Sequence, residues 1–105
     1  MESNRGRANT WWLGDVKTSS GRLKFPALNI EPIKFVSKNQ SSIPTGFASR
    51  DDFFAAAIAV DYMITLAQLL ETEGFRCRNM GVSVEIERDK FDAISEVRIY
   101  VNANL

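Results

Sequence analysis

A single carboxylate, Asp61, stands in the middle of the most apolar segment of the chain and is the clearest candidate for a chemical role. Fifteen of the twenty residues from Asp51 to Leu70 are apolar. Burying an ionised carboxylate without a partner costs several kcal/mol, so such a group normally needs a hydrogen-bonded partner or a proton. One interpretation makes Asp61 a site residue at a pocket or subunit boundary. In the alternative, Asp61 belongs to a narrow polar strip at helical spacing, which simply meets water and continues through Thr65, Gln68 and Thr72.

Two further carboxylates, Asp51 and Asp52, begin the same segment. Negative charge is favoured in the first turn of a helix by the helix dipole, so the sequence favours a helix-start role for both. Asp51 and Asp61 are ten residues apart, or about 15 Å along a straight helix. They cannot share a proton within one chain, and a paired-carboxylate mechanism would require the partner subunit.

The other reactive side chains give little support for catalysis. Cys77 lies between Arg76 and Arg78, but it has neither a histidine nor a second cysteine to work with, and we interpret it as an inert thiol. The sequence contains no phosphate loop, metal-ligand cluster or hydrolase triad. We therefore predict no catalytic residue, no metal and no cofactor. Trp11 and Trp12 are adjacent on a predicted strand, so they face opposite sides, one towards a core and one towards an interface or pocket.

The elements that position these residues follow an α+β order, β-β-β-α-β-β. Residues 1–9 predict a flexible tail, and residues 10–105 a single domain. A hairpin is predicted from Thr10–Val16 and Arg22–Phe25, then a strand at Ile33–Ser37 and a loop at Asn39–Ala48. The helix, which stops at Gly74, and a second hairpin of two alternating strands joined by residues 88–93 follow. A helix that is apolar almost all round lies in the centre of an assembly, and 105 residues supply little to surround it.

The amino-acid composition narrows the classes of partner that the chain could bind. Thirteen basic and thirteen acidic residues cancel, which argues against a nucleic-acid or membrane-surface role. The helix is long enough to span a bilayer, but its acidic residues and Gln68 make insertion costly, so we predict no membrane partner. One cysteine and an N-terminus without a signal peptide predict a cytoplasmic protein.

Four segments, in this order, resemble the OsmC/Ohr group of organic-hydroperoxide reductases. They are TWWLGDVKTSSGRLKF, ALNIEPIKF, SRDDFFAAAIAVDYMITLAQLLETEGF and DKFDAISEVRIYVNANL. The resemblance runs from about Thr10 to Leu105. It implies an OsmC-like fold in which the central helix packs on antiparallel sheet and an intertwined homodimer places its sites at the subunit boundary.

The same resemblance argues against the family's activity. The peroxidatic cysteine of the family falls on Asp61, and a carboxylate cannot attack a peroxide as a thiolate does. The helix-start glutamate falls on Asp51 and the activating arginine near Lys38, which lacks the planar guanidinium fork. The resolving cysteine belongs to a later helix than this sequence includes. The family continues past the position of Leu105, so we expect exposed apolar surface here and an obligate homodimer.

Three functions remain open. The first is a non-catalytic homodimer that binds a small, partly apolar ligand at the subunit boundary. The second is a structural or protein-interaction module in which Asp61 pairs with a basic residue of the partner subunit. The third is a residual enzyme that uses Asp61 as a general acid or base with Lys38. The residues expected to line the boundary site or interface are Trp11, Trp12, Lys38, Asp51, Phe53, Phe54, Asp61 and Tyr62.

Overall fold

The computed structural model describes residues 5–14, 20–36, 43, 45–76 and 78–104. It is a mixed α+β structure of two sheets and one helix. The elements are β1 (Asn9–Leu13), β2 (Ser20–Lys24), β3 (Ile33–Val36), β4 (Phe47–Ser49), α1 (Arg50–Thr72), β5 (Asn79–Arg88) and β6 (Ile94–Asn104). Contacts divide the chain into two compact units, Met1–Arg50 and Asp51–Leu105, hereafter unit 1 and unit 2.

Unit 1 contains a four-stranded sheet in the order β1-β2-β3-β4. The predicted first hairpin is confirmed, because β1 and β2 pair antiparallel with Trp11 opposite Arg22 and Trp12 opposite Gly21. β3 continues the sheet antiparallel to β2. β1 begins at Asn9, one residue before the predicted start of the domain, and residues 1–4 of the expected tail lie outside the described residues.

One strand of unit 1 was not predicted. The segment Asn39–Ala48 was expected to be a loop, but Phe47 and Ala48 belong to β4, which pairs in parallel with β3. A strand of three residues shows too little alternation to be recognised, and its parallel partner is not adjacent in a hairpin. The sheet of unit 1 is therefore mixed rather than antiparallel.

Glycine at position 21 allows an aromatic contact across the sheet of unit 1. The ring of Phe35 lies over Gly21, where an added Cβ would come within 2.3 Å of the ring. The same ring lies 5.9 Å from that of Trp12, at an angle of 54°. In this row of the sheet, Gly21 makes room for Phe35 to reach Trp12.

Unit 2 contains α1 and the hairpin β5–β6. The helix ends in a glycine-based cap: Gly74 has φ 88°, Phe75 N–H donates to Leu70 O at 2.9 Å, and Gly74 N–H donates to Glu71 O at 3.1 Å. The predicted stop at Gly74 is confirmed. Every residue of α1 is described, and only Asp51 among them is buried. The other residues of α1 are half-buried or exposed among the described residues, in line with the expectation that one chain supplies little to surround this helix.

The hairpin β5–β6 has one apolar and one charged face. Val82, Val84 and Ile86 stand opposite Val101, Ile99 and Val97, as the alternation predicts. On the other face, Arg98 lies 2.8 Å from Glu96, 2.9 Å from Glu87 and 3.6 Å from Glu85. All of β6 is exposed, while alternate residues of β5 are half-buried.

Candidate functional site

A partly buried ion pair at the start of α1 holds the most tightly organised polar groups of unit 2. Asp51 is 5% exposed and Arg88 is 17% exposed. Arg88 Nε donates to Asp51 Oδ2 at 2.8 Å and to Oδ1 at 3.0 Å, and Arg88 Nη2 donates to Oδ1 at 2.8 Å. This forked geometry is the strong form of a carboxylate–guanidinium pair. We call it the Asp51–Arg88 clasp.

The clasp also fixes the turn between β5 and β6. Arg88 Nη1 donates to Asp92 O at 2.7 Å, and Asp92 has φ 65°, a conformation that aspartate tolerates better than most residues. Asp89 accepts hydrogen bonds from the N–H groups of Phe91 and Ala93 at 2.9 and 3.0 Å. One guanidinium therefore joins the first turn of the helix to a turn that is itself closed by hydrogen bonds.

The clasp decides what Asp51 can do. The hydrogen bonds that Arg88 donates to Asp51 raise the pKa of Arg88 above its ordinary value, more than desolvation lowers it, so the guanidinium keeps its charge. Both carboxylate oxygens of Asp51 accept from it. A carboxylate held in this way is an anchor, and it is poorly placed to accept a proton from a substrate.

Asp61 has a different setting. It is exposed on α1, and within the described part of the chain its carboxylate makes no hydrogen bond or ion pair. Thr65, Gln68 and Thr72 are exposed as well, and Thr72 Oγ1 donates to Gln68 O at 2.9 Å. The polar strip is therefore accessible along its length, and Asp61 is the one charge in the central turns of the helix.

A second stripe of α1 is apolar and equally accessible. Ala56, Val60, Ile64 and Ala67 recur at helical spacing and all are exposed, with Val60 at 59% and Ile64 at 52%. We call these four residues the open apolar stripe. By helical geometry it runs alongside the polar strip, so Asp61 stands at its border. An apolar surface of this kind marks an interaction site more often than a solvent face.

The aromatic candidates on α1 are more exposed than Asp51. Phe54 is 47% exposed and Tyr62 is 38% exposed, whereas Phe53 is half-buried. Phe54 lies seven residues before Asp61 and therefore on the same side of α1, whereas Tyr62, the next residue after Asp61, points about 100° further round the helix. An exposed ring and an accessible carboxylate thus share one side of α1, with a second exposed ring beside them.

The remaining candidates lie in unit 1 or outside the described residues. Trp11 is 43% exposed, and Trp12 is half-buried with its Nε1 shielded from water and without an acceptor among the described residues. Lys38 and Cys77 fall outside the described residues, so their predicted roles stay predictions.

Two surface depressions are lined by other residues. One in unit 1, of about 630 Å³, is bordered by Arg5, Arg7, Pro26 and Ala27. One in unit 2, of about 370 Å³, lies near the C-terminal end of α1, beside Glu71 and Phe75. Among the predicted site residues that the structure describes, none lines either depression.

Arg88 is the residue that sequence reasoning missed. It was assigned to the connection between the two strands, yet it is the last residue of β5. A signal was present: the alternation that places Val82, Val84 and Ile86 on the apolar face brings Arg88 to the same face. A cation at an apolar position of a strand requires a carboxylate partner, and Asp51 supplies it.

No group of His, Cys, Asp and Glu side chains among the described residues is arranged to hold a metal ion. By length and composition alone α1 is apolar enough to cross a membrane, a test that the central helix of a soluble protein also passes. No known family model matches the chain, and no curated protein matches it.

Proposed function

We propose that the chain is a non-catalytic, OsmC-like homodimer in which a second copy covers α1 and a small, partly apolar ligand binds at the subunit boundary. One observation carries the proposal: a helix of 23 residues has an apolar composition and no buried residue except Asp51. Burial of apolar area contributes about 25 cal/mol per Å², so leaving this helix in water forfeits a large favourable term.

A second copy is the occupant that the sequence itself supports. The open apolar stripe carries no charge, so the same stripe of another molecule complements it without desolvating an ion. A twofold interface of this kind uses one patch twice, which suits a single continuous stripe. The order of strands and helix and the resemblance of the sequence to the OsmC/Ohr group point in the same direction.

We place the ligand site at the border of the open apolar stripe. Asp61 stands at the edge of the surface that the partner would cover, Phe54 lies two turns earlier on the same side of α1, and Tyr62 follows about 100° further round the helix; all three are exposed. Ligand sites are usually apolar with a few placed polar groups, and an accessible carboxylate with exposed rings beside it meets that description. The carboxylate favours a ligand with a positive charge, such as a partly apolar amine.

Light scattering coupled to size-exclusion chromatography tests the assembly. At micromolar concentration we expect a single species of twice the 11.8 kDa chain mass. A folded monomer that stays in solution contradicts the dimer. A chain that instead sediments with neutral phospholipid vesicles contradicts it too, and assigns the helix to a bilayer.

Thermal shift with matched probes tests the ligand. A hydrophobic primary amine is compared with the alcohol and the carboxylic acid of the same carbon skeleton. We expect the amine alone to raise the melting temperature of the wild-type chain, and Asp61→Asn to abolish the rise.

The alternative, a purely structural module, rests on the free carboxylate of Asp61 pairing with a basic residue of the partner. In that case Asp61→Asn weakens the dimer, and none of the three probes shifts the melting temperature. The two functions are therefore separated by the same variant.

A further inference from the structure

One face of the sheet in unit 1 carries an aromatic and basic row. Trp11 stands opposite Arg22, Arg22 opposite Lys34, and Lys34 opposite Phe47, so the four side chains lie in register on four neighbouring strands. At the spacing of neighbouring strands the row spans about 14 Å. We call these four residues the cation–aromatic row.

The two cations of the row are gathered over one ring. The guanidinium carbon of Arg22 lies 6.0 Å from the centre of the Phe47 ring, and Lys34 Nζ lies 5.6 Å from it. Arg22 Nη1 also donates to Ser20 Oγ at 2.8 Å and to Gly21 O at 2.9 Å, which fixes the guanidinium. A cation over an aromatic face is attracted by the ring but keeps its charge.

No carboxylate within the described ranges forms an ion pair with Arg22 or Lys34. Lys24 adds a third, exposed cation to the same face two residues from Arg22. Residues 1–50 contain eight basic and three acidic residues, so the surroundings do not cancel this charge. Two adjacent like charges repel each other, and an anion placed between them relieves the repulsion.

Trp11 supplies the other half of a recognition surface. It belongs to the edge strand β1 and is 43% exposed, next to Arg22 in the row. An indole on an edge strand offers a flat apolar face to an incoming ring, and stacking of a planar ring on tryptophan tolerates many ring types.

We propose that the cation–aromatic row binds a planar aromatic ring that carries an anionic group, with the ring on Trp11 and the anion between Arg22 and Lys34. This proposal gives Trp11, which the sequence assigned to the subunit boundary, a role on the sheet of unit 1, and it does not depend on the dimer. Nucleotides combine a planar ring with a phosphate, either as free molecules or as units of a single strand. The neutral total charge of the chain argued against nucleic acid, but that total conceals the basic excess of unit 1.

Isothermal titration calorimetry with adenosine 5′-monophosphate tests the site. We expect saturable binding below about 1 mM in low salt, at least about tenfold weaker binding of adenosine or inorganic phosphate alone, and weakening by 1 M salt. A single-stranded oligoadenylate distinguishes the sources. Affinity per nucleotide equal to that of the monophosphate assigns a free small molecule, and much tighter binding assigns a single strand.

Three variants locate the binding. Trp11→Ala removes the stacking ring, and Lys34→Gln removes one cation from an exposed position where folding is not at stake. We expect each to weaken binding of the monophosphate about tenfold. The matched control is Lys90→Gln, because Lys90 Nζ also lies over a ring, 5.2 Å from the centre of Phe91, but in unit 2 beside Asp89 and Asp92.

Two results overturn the proposal. One is the absence of binding by both the monophosphate and the oligonucleotide. The other is binding that Lys34→Gln leaves unchanged or that Lys90→Gln weakens to the same extent. A Trp11→Ala variant that fails to fold, judged by circular dichroism, leaves the decision to Lys34→Gln.

Discussion

The two compact units of this chain carry opposite charge. Residues 1–50 contain eight basic and three acidic residues, and residues 51–105 contain five basic and ten acidic residues. The total is zero, yet neither unit is neutral. The net charge of the whole chain therefore does not describe the charge of the surface that a partner meets, because electrostatic interactions act over about a Debye length of 10 Å.

The units also treat their cations differently. In unit 1, Arg22 and Lys34 rest on the ring of Phe47. In unit 2, Arg88 is clasped by Asp51, and Arg98 lies among three glutamates. Unit 1 therefore presents charge outwards, whereas unit 2 pairs Arg88 and Arg98 with its own carboxylates and presents apolar surface on α1. We expect unit 1 to recognise anions and unit 2 to drive assembly.

The largest expected effect concerns the role of the open apolar stripe in dimer assembly. Ile64→Asp places a charge in the open apolar stripe, and burying it against a second copy costs about 3 kcal/mol, or roughly a hundredfold in the dimer dissociation constant. Sedimentation equilibrium measures this constant. Thr65→Asp adds the same charge one residue away, in the polar strip, and is expected to leave the constant nearly unchanged. Equal effects of the two variants would remove the assembly role of the stripe.

The next effect concerns the clasp. Asp51→Ala leaves Arg88 without its carboxylate at a buried position, and we expect the melting temperature to fall by roughly 10 °C. Circular dichroism on heating measures the fall. Arg88→Ala should cost a similar amount, and the double variant less than the sum of the two, because both act on one interaction. Full additivity would mean that the clasp contributes little.

A smaller effect compares one glycine from each unit. Gly21→Ala forces the ring of Phe35 away from its place beside Trp12, and we expect a loss of about 1 kcal/mol of unfolding free energy in urea. Gly81 lies in β5 with nothing within 4 Å of an added Cβ, so Gly81→Ala should change stability by less than about 0.5 kcal/mol. A neutral Gly21→Ala would show that the aromatic contact does not stabilise unit 1.

The smallest effect is expected at Arg98. All four members of this charge network are exposed, and water and salt screen such pairs. Arg98→Ala should shift the melting temperature by less than about 2 °C. A shift as large as that of Asp51→Ala would mean that the exposure of Arg98 does not make its ion pairs weaker than that of Arg88.

Much of the local structure was predictable from the sequence. The alternation of Val82, Val84 and Ile86 and the KTSSG turn after Val16 indicated the two hairpins, and Gly74 indicated the end of the helix. The predicted hairpins are present as β1–β2 and β5–β6. These features depend on neighbours within a few residues, which is the range that a sequence pattern records.

Features that depend on distant partners were harder to predict. β4 pairs in parallel with β3, and Arg88 meets Asp51 from 37 residues away. The parallel pairing leaves no periodic pattern, and the alternation that places Arg88 on the apolar face of β5 does not identify its partner. Asp61 was recognised as unusual, but the sequence does not reveal whether its surroundings are protein or water, because that depends on what else packs on the helix.

The indole nitrogen of Trp12 has a practical consequence for experiments on unit 1. Its N–H is shielded from solvent and donates to no acceptor in the described part of the chain, whereas the ring of Trp11 is accessible. In deuterated water the Trp11 indole proton should exchange within seconds, while that of Trp12 waits for the sheet to open. Two neighbouring residues thus provide a slow exchange rate that reports opening of the sheet and a fast reference rate, both readable in one proton spectrum without any label.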